Sequence, residues 1–417
     1  MNNYFDDIVK NISRIVAIDS SQSPAVEGKP FGEGAAKALD YFLSLASFLG
    51  FETKNYDNYI GEVCFGSGED FAILAHLDVV PAGSGWQHEP FGGEIDEANG
   101  RIWGRGTMDD KGPAIITLFA LKALKDEGFK PDKRIKLIVG CNEESGWGCI
   151  EHYNKVAKMP ETGISPDADF PVIYAEKGIL HIKLRLPANG SFSGLKGGEA
   201  SNMVCAYCEV QAETDEEKQG KYGLKAEGNK LYFTGKSAHG STPEKGVNAI
   251  MPVLQYLGLD AEAKALFEDK LGLKELKDET GPLTLSPNVI EQKGDGIYIT
   301  CDIRYPATYK RESIIKILDK CGYSYEILHE QAPLFNDKNG KLISTLLGVY
   351  NEVTGANAQP VAIGGGTYAR ALKNGAAFGP EEDGEEPTIH QPNEYITFEK
   401  IRKCFDIYKL AIQRLTK

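Results

Sequence analysis

Apolar positions near the start of the chain recur every three or four residues. Phe5, Ile8, Val9, Ile12, Ile15 and Val16 share one face, with Asp6, Asp7, Lys10 and Arg14 between them. That is the pattern of an amphipathic helix docked on a core. Residues 32–50 and 112–127 repeat the helical spacing, whereas 60–65, 71–77 and 134–141 are short apolar runs of strand length. Strands alternating with helices predict a mostly parallel sheet covered by helices.

The rhythm changes in the middle of the chain. ILHIKLRLP, NKLYFTG and GIYITCDIRYP read as strands, and NMVCAYCEVQAE as strand and core. Helices are predicted at 244–257, with Ser241 or Thr242 as cap and Pro243 in the first turn, and at 311–321. After about residue 332 the alternation returns, with helices near 340–354 and 397–415. The expected architecture is an α/β domain (residues 1–179 and 332–417) interrupted by an inserted α+β domain (180–331).

Bulk composition narrows the function. A chain of 417 residues exceeds one ordinary core. Its net charge of −14 argues against nucleic-acid or anionic-membrane partners. The amino terminus lacks an export signal, and no apolar run reaches membrane-spanning length. Eight cysteines are scattered among apolar neighbours, and the Cys205-x-x-Cys208 motif has no second pair to complete a zinc ribbon. They read as reduced thiols of a cytoplasmic protein. The acidic run 380–387 reads as a solvated loop.

Candidate chemistry begins in FAILAHLDVVPAG, residues 71–83, where an apolar strand ends in His76 with Asp78 two positions on. Both side chains point to the same side of a strand. Taken alone they are either a metal ligand with its clamp or a buried polar pair. Further on, Asp109 sits in a turn before a helix and the adjacent pair Glu143–Glu144 follows a buried strand. Asp167 lies in SPDADFP and His390 in TIHQPNEYI. All fall in loops at strand ends, where ligands of α/β sheets bind. Imidazole plus carboxylates suits zinc, manganese or cobalt, and so many donors suit a pair of ions about 3.5–4 Å apart.

The set AHLDVVPAG, WGRGTMDDKGP, GCNEESGWG, SPDADFP, GKSAHGSTPEKGVNA, DIRYP, GGGTYAR and HQPNE, in this order, resembles the M20 family of metallopeptidases, and within it the PepV-like dipeptidases. The resemblance implies that Asp109 bridges two divalent ions, Zn²⁺ foremost with Mn²⁺ or Co²⁺ as alternatives. It implies His76 and Asp167 as further ligands of one ion, and Glu144 and His390 of the other. Asp78 would orient His76, Glu143 would be the general base, and His239 in the inserted lid would polarise the substrate carbonyl. Arg304, Gly365, Gly366, Thr367 and Arg370 would hold the substrate's carboxylate, with Asn202 as a further contact. The implied activity is hydrolysis of dipeptides with a free amino terminus, Asp78 or Glu143 being candidate partners of that amine.

Three rival readings stand beside it, one of them a catalytically dead metal-binding or scaffold protein, against which the intact Glu143 argues. An aminoacylase or deacylase of the same family would act on N-acyl amino acids. The spacing Gly364-x-Gly366-x-x-Ala369 fits the loose dinucleotide fingerprint of an oxidoreductase, which requires a complete βαβ unit. The other histidines, His88, His152, His181 and His329, match no motif position and read as structural or surface residues. At about 150 residues the inserted domain is shorter than the duplicated lid of the resembled dipeptidases. A monomer is expected, with a homodimer as the alternative.

Overall fold

From Phe71 to His76 every residue of strand Glu69–His76 is buried, as a central parallel strand covered on both faces requires. It pairs in parallel with Lys133–Gly140 on one side and Thr162–Ser165 on the other. Asn374–Ala377 adds a fourth parallel strand. On the opposite side the hairpin Glu52–Tyr56 and Ile60–Phe65 joins antiparallel. The sheet is parallel at its centre and antiparallel at this edge, a detail that the helix–strand rhythm alone does not carry.

The computed structural model describes residues 4–188, 190–386 and 388–417. It divides into two compact units, one of Met1–Tyr174, Asn336–Val361 and Thr367–Lys417, the other of Ala175–Phe335 and Ala362–Gly366. In the first unit, helix Lys111–Asp126 is buried along almost its whole length and packs against Phe5–Val16 and Phe398–Leu415. Each of its fully buried residues Ile115, Ile116 and Leu118 contributes about 1.5–3 kcal/mol of transfer free energy.

The second unit is an eight-stranded antiparallel sheet. Its order is Lys225–Glu227, Lys230–Thr234, Tyr207–Ala212, Phe192–Gly197, Thr284–Lys293, Gly296–Tyr305, Gly178–Pro187, Ser324–Gln331. One face packs with helices Ile250–Tyr256, Asp260–Phe267 and Arg311–Leu318 around core positions such as Ile182, Leu184, Leu231, Ile299 and Ile303. Four strands escape the sequence pattern, Phe192–Gly197, Lys225–Glu227, Thr284–Lys293 and Ser324–Gln331, two of them for clear physical reasons. Thr284–Lys293 carries Pro287 and a register shift beside it, and Ser324–Gln331 is a half-exposed edge strand.

The helix predicted over 244–257 is two pieces, a 3₁₀ turn Pro243–Lys245 and helix Ile250–Tyr256. Gly246 is extended between them, and Val247 exchanges both backbone hydrogen bonds with Lys236. The helix restarts where the Asn248 side-chain oxygen accepts from the Ile250 N–H at 2.9 Å. No helix among the described residues is long and apolar enough to cross a membrane.

Candidate metal centre

The three adjacent parallel strands Lys133–Gly140, Glu69–His76 and Thr162–Ser165 present their carboxyl ends along one edge of the first unit's sheet. His76 ends its strand opposite Gly140. Glu143 and Glu144 lie just beyond Gly140, and Asp167 just beyond Ser165. Parallel pairing therefore brings together the strand ends from which the short loops carrying these side chains start.

Asp109 reaches the same place through a turn wound on one carboxylate. Glu394, fully buried, accepts through Oε1 from the backbone N–H of Gly106 (3.0 Å) and Met108 (2.9 Å), and through Oε2 from Arg105 (2.8 Å). His390 stands four residues before Glu394, so one loop carries a metal-type donor and also shapes the turn that carries another. Sequence reasoning passed over Glu394. Its signal was a glutamate between Asn393 and the apolar Tyr395–Ile396, where an acid needs a strong set of partners.

Asp109 meets two imidazoles, one on each carboxylate oxygen. His76 Nε2 is 2.9 Å from Oδ1, and His390 Nε2 is 2.9 Å from Oδ2. Glu144 Oε1 lies 3.1 Å from His390 Nε2, and Asp167 Oδ2 3.7 Å from His76 Nε2. Donor atoms of His76, Asp109 and Glu144 all fall within 4.8 Å of one another.

The hydrogen bonds of His76 say what belongs there. Its Nδ1 lies 3.0 Å from the backbone carbonyl of Asp78, a pure acceptor. A neutral ring therefore carries its proton on Nδ1 and turns a bare Nε2 toward a carboxylate. Two lone pairs at that distance need a positive charge between them, either a proton or a metal ion. The surroundings agree. Burial opposes charge on His76, yet Asp109 and Asp78 hold its protonation well above the ordinary range. His390, likewise opposed by burial, is raised to about 11 by Asp109 and Glu144. Burial and the neighbouring Asp109 raise Asp167 to about 7 and also raise Glu144. The donor set, rich in carboxylates, with His76 and Asp109 buried, Glu144 and Asp167 half-buried and His390 exposed, fits divalent metal.

Asp78 divides its attention. Its carboxylate oxygens accept the backbone N–H groups of Glu143 (3.0 Å) and Glu144 (3.1 Å), while Oδ1 is 3.6 Å from His76 Nδ1. It fixes the Glu-Glu turn as much as the imidazole. Asp110, also passed over in the sequence, accepts the His76 backbone N–H through Oδ2 at 3.1 Å. Burial, reinforced by Asp167, pushes its carboxyl well above the usual range. Thr367 and Arg370 are also in the first unit, at the 3₁₀ turn Tyr368–Ala371, where the Thr367 hydroxyl accepts the Ala369 N–H.

The second unit holds His239, Asn202, Arg304, Gly365 and Gly366. The Asn202 carbonyl accepts the Gly240 N–H at 2.7 Å, beside His239. His239 Nδ1 accepts from the Ser241 N–H at 3.2 Å, with the Ser241 hydroxyl at 2.6 Å. A backbone N–H can only donate, so a neutral His239 carries its proton on Nε2. Arg304 is buried and bound bidentately by Asp302 at 2.7 and 2.8 Å, and its Nη1 donates to the Gly364 carbonyl at 3.3 Å. The glycine stretch follows the short strand Val361–Ile363 and leads into a four-residue 3₁₀ turn rather than a helix. The βαβ unit that a dinucleotide fingerprint requires is absent there, and the oxidoreductase reading goes with it.

Comparison with known proteins agrees with this arrangement. The putative dipeptidase YtjP of Bacillus subtilis is 34% identical over 455 aligned positions, covering 99% of this chain and 98% of the relative. The alignment is longer than the chain, so the relative carries stretches that this protein lacks. The Beta-Ala-Xaa dipeptidase of Lactobacillus delbrueckii subsp. lactis is 33% identical, covering 99% and 96%. Among solved structures, the yeast dipeptidase Dug1p of Saccharomyces cerevisiae superposes with a TM-score of 0.63 at 15% identity, covering 100% of this chain and 97% of that one. Residues 72–414 match the model of peptidase family M20/M25/M40, and the chain belongs to that family.

Proposed function

We propose that the protein is a di-metal dipeptidase that hydrolyses the peptide bond of dipeptides with a free amino terminus. The observation that carries this reading is the Asp109 carboxylate, whose two oxygens each face a different imidazole at 2.9 Å. A carboxylate so placed is built to bridge. His76 and Asp167 would complete one ion's protein ligands, and Glu144 and His390 the other's. Zn²⁺ suits this set best, with Mn²⁺ or Co²⁺ as alternatives. When bound, such ions supply a water acidified toward neutrality and Lewis-acid polarisation of the scissile carbonyl.

The chain's own residues do the rest. Glu143, with its backbone fixed by Asp78, takes the proton of the attacking water and passes it to the leaving amine, serving as base and then as acid. His239 donates from Nε2 to the carbonyl oxygen as charge develops there. Arg304 and the stretch Gly365, Gly366, Thr367 and Arg370 receive the substrate's terminal carboxylate, with Asn202 as a further contact. The second unit acts as a lid that excludes water during the reaction. A monomer in the cytoplasm completes the reading. The names of the relatives support dipeptides over N-acyl amino acids as substrates.

The test removes metal with a chelator and restores Zn²⁺, Mn²⁺ or Co²⁺ separately. A free dipeptide and its N-acetylated form are assayed in parallel. The expected result is metal-restored cleavage of the free dipeptide alone. Cleavage of only the acetylated compound would move the protein to the deacylase branch, and no metal-dependent cleavage of either would end the hydrolase reading.

A further inference from the structure

The residue before helix Gly148–Val156 is Trp147, with φ +63° and ψ +17°. Bulky L-residues rarely adopt this left-handed conformation. Glycine or asparagine would suit that backbone better, so the backbone alone does not account for a tryptophan. The surrounding turn holds the conformation in place. The Trp147 N–H donates to the Asn142 carbonyl at 2.8 Å, and the Asn142 side chain accepts from Gly148 N–H at 2.9 Å and donates to Ser145 Oγ at 2.8 Å.

The side chain explains what the turn is for. The indole N–H of Trp147 donates to Glu143 Oε1 at 3.2 Å. The indole ring stands edge-on to Tyr368 at 5.2 Å and 79°, and buried Tyr368 stands edge-on to His76 at 6.0 Å and 77°. The Tyr368 hydroxyl is in turn 2.7 Å from Cys149 Sγ. Trp147 is therefore wedged against an aromatic that also backs a metal-type ligand. Glu143 has its backbone N–H fixed by Asp78, but its side chain has three rotatable bonds that Asp78 does not restrain.

We propose that Trp147 is a positioning residue for the base, its indole N–H occupying Oε1 of Glu143 so that Oε2 is the oxygen left to take the proton from water. An uncharged N–H donor restrains the orientation of the carboxyl group without adding a charge beside it. The proposal rests on the reading of Glu143 as base, and its test separates the two.

In the metal-loaded enzyme, Trp147→Phe keeps a ring against Tyr368 and removes only the donor. The expected outcome is a kcat lowered about tenfold, the scale of one hydrogen bond, with KM and metal content unchanged. The second readout needs no activity. In the ¹⁵N-labelled protein, the chain's three tryptophans give indole N–H signals. Glu143→Gln is expected to move one of them, the one absent from Trp147→Phe, and to leave the others in place. Wild-type kcat in Trp147→Phe would overturn the proposal, as would three indole signals indifferent to Glu143→Gln. Full activity in Glu143→Ala would instead overturn the base reading, while the indole signal still reports the contact.

Discussion

The two units hold their chemistry-bearing side chains in different ways. In the first, His76, the Glu143–Glu144 pair and Asp167 sit at the ends of three parallel strands, and strand register sets their spacing. In the second, His239 sits on a loop stitched by local hydrogen bonds. Val204 N–H donates to the Ala238 carbonyl at 2.9 Å, Gly240 N–H to Asn202 at 2.7 Å, and Thr242 N–H to the His239 carbonyl at 3.0 Å. Below the loop, Asn288 donates to the Ser201 carbonyl at 2.6 Å and accepts from the Ser286 hydroxyl at 2.6 Å. Topology positions the first set, and buried polar contacts position the second. In the first set the sheet edge fixes where the loops start and the Asp78 and Glu394 carboxylates fix how they run on, whereas the His239 loop depends on hydrogen bonds alone.

Two substitutions sharpen that contrast. His239→Ala should have the larger effect, lowering kcat by about 10²–10³, as loss of an oxyanion donor does, and leaving metal content intact. Metal analysis beside steady-state kinetics checks both halves; loss of metal in this variant would break the separation between the units' roles. Glu394→Gln should act on the other side of the comparison. Its carboxylate shapes the turn of Asp109 from outside the donor set, so metal affinity should fall about 10–100-fold, read by competition with a chromophoric chelator. An unchanged affinity would mean that the turn holds Asp109 without the Glu394 carboxylate.

The sequence exposed the first set more clearly than the second for the same physical reason. A buried run such as Phe71–Ala75 ending in His76 marks the carboxyl end of a parallel strand, and motifs at three such ends must converge. Helices Phe5–Val16, Lys111–Asp126 and Phe398–Leu415 were equally legible from their period. The partners that tie distant segments together were not. Glu394 acts on Gly106 and Met108 across 288 and 286 residues of chain, and its local pattern marks a buried acid without naming its partners. Nothing local singles out Trp147 in its glycine-rich turn, because its conformation and its hydrogen bond to Glu143 exist only in three dimensions. The break at Gly246 was hidden because the pairing of Val247 with Lys236 overrides helical spacing.

The central claim is that one carboxylate, Asp109, bridges two ions. The direct measurement is the number of divalent ions per chain after chelator stripping and reloading, by elemental analysis of wild type and Asp109→Ala. Two ions in the wild type and fewer than one in the variant are expected, because both sites lose a shared ligand. One ion per chain in the wild type, or two retained in Asp109→Ala, would contradict it.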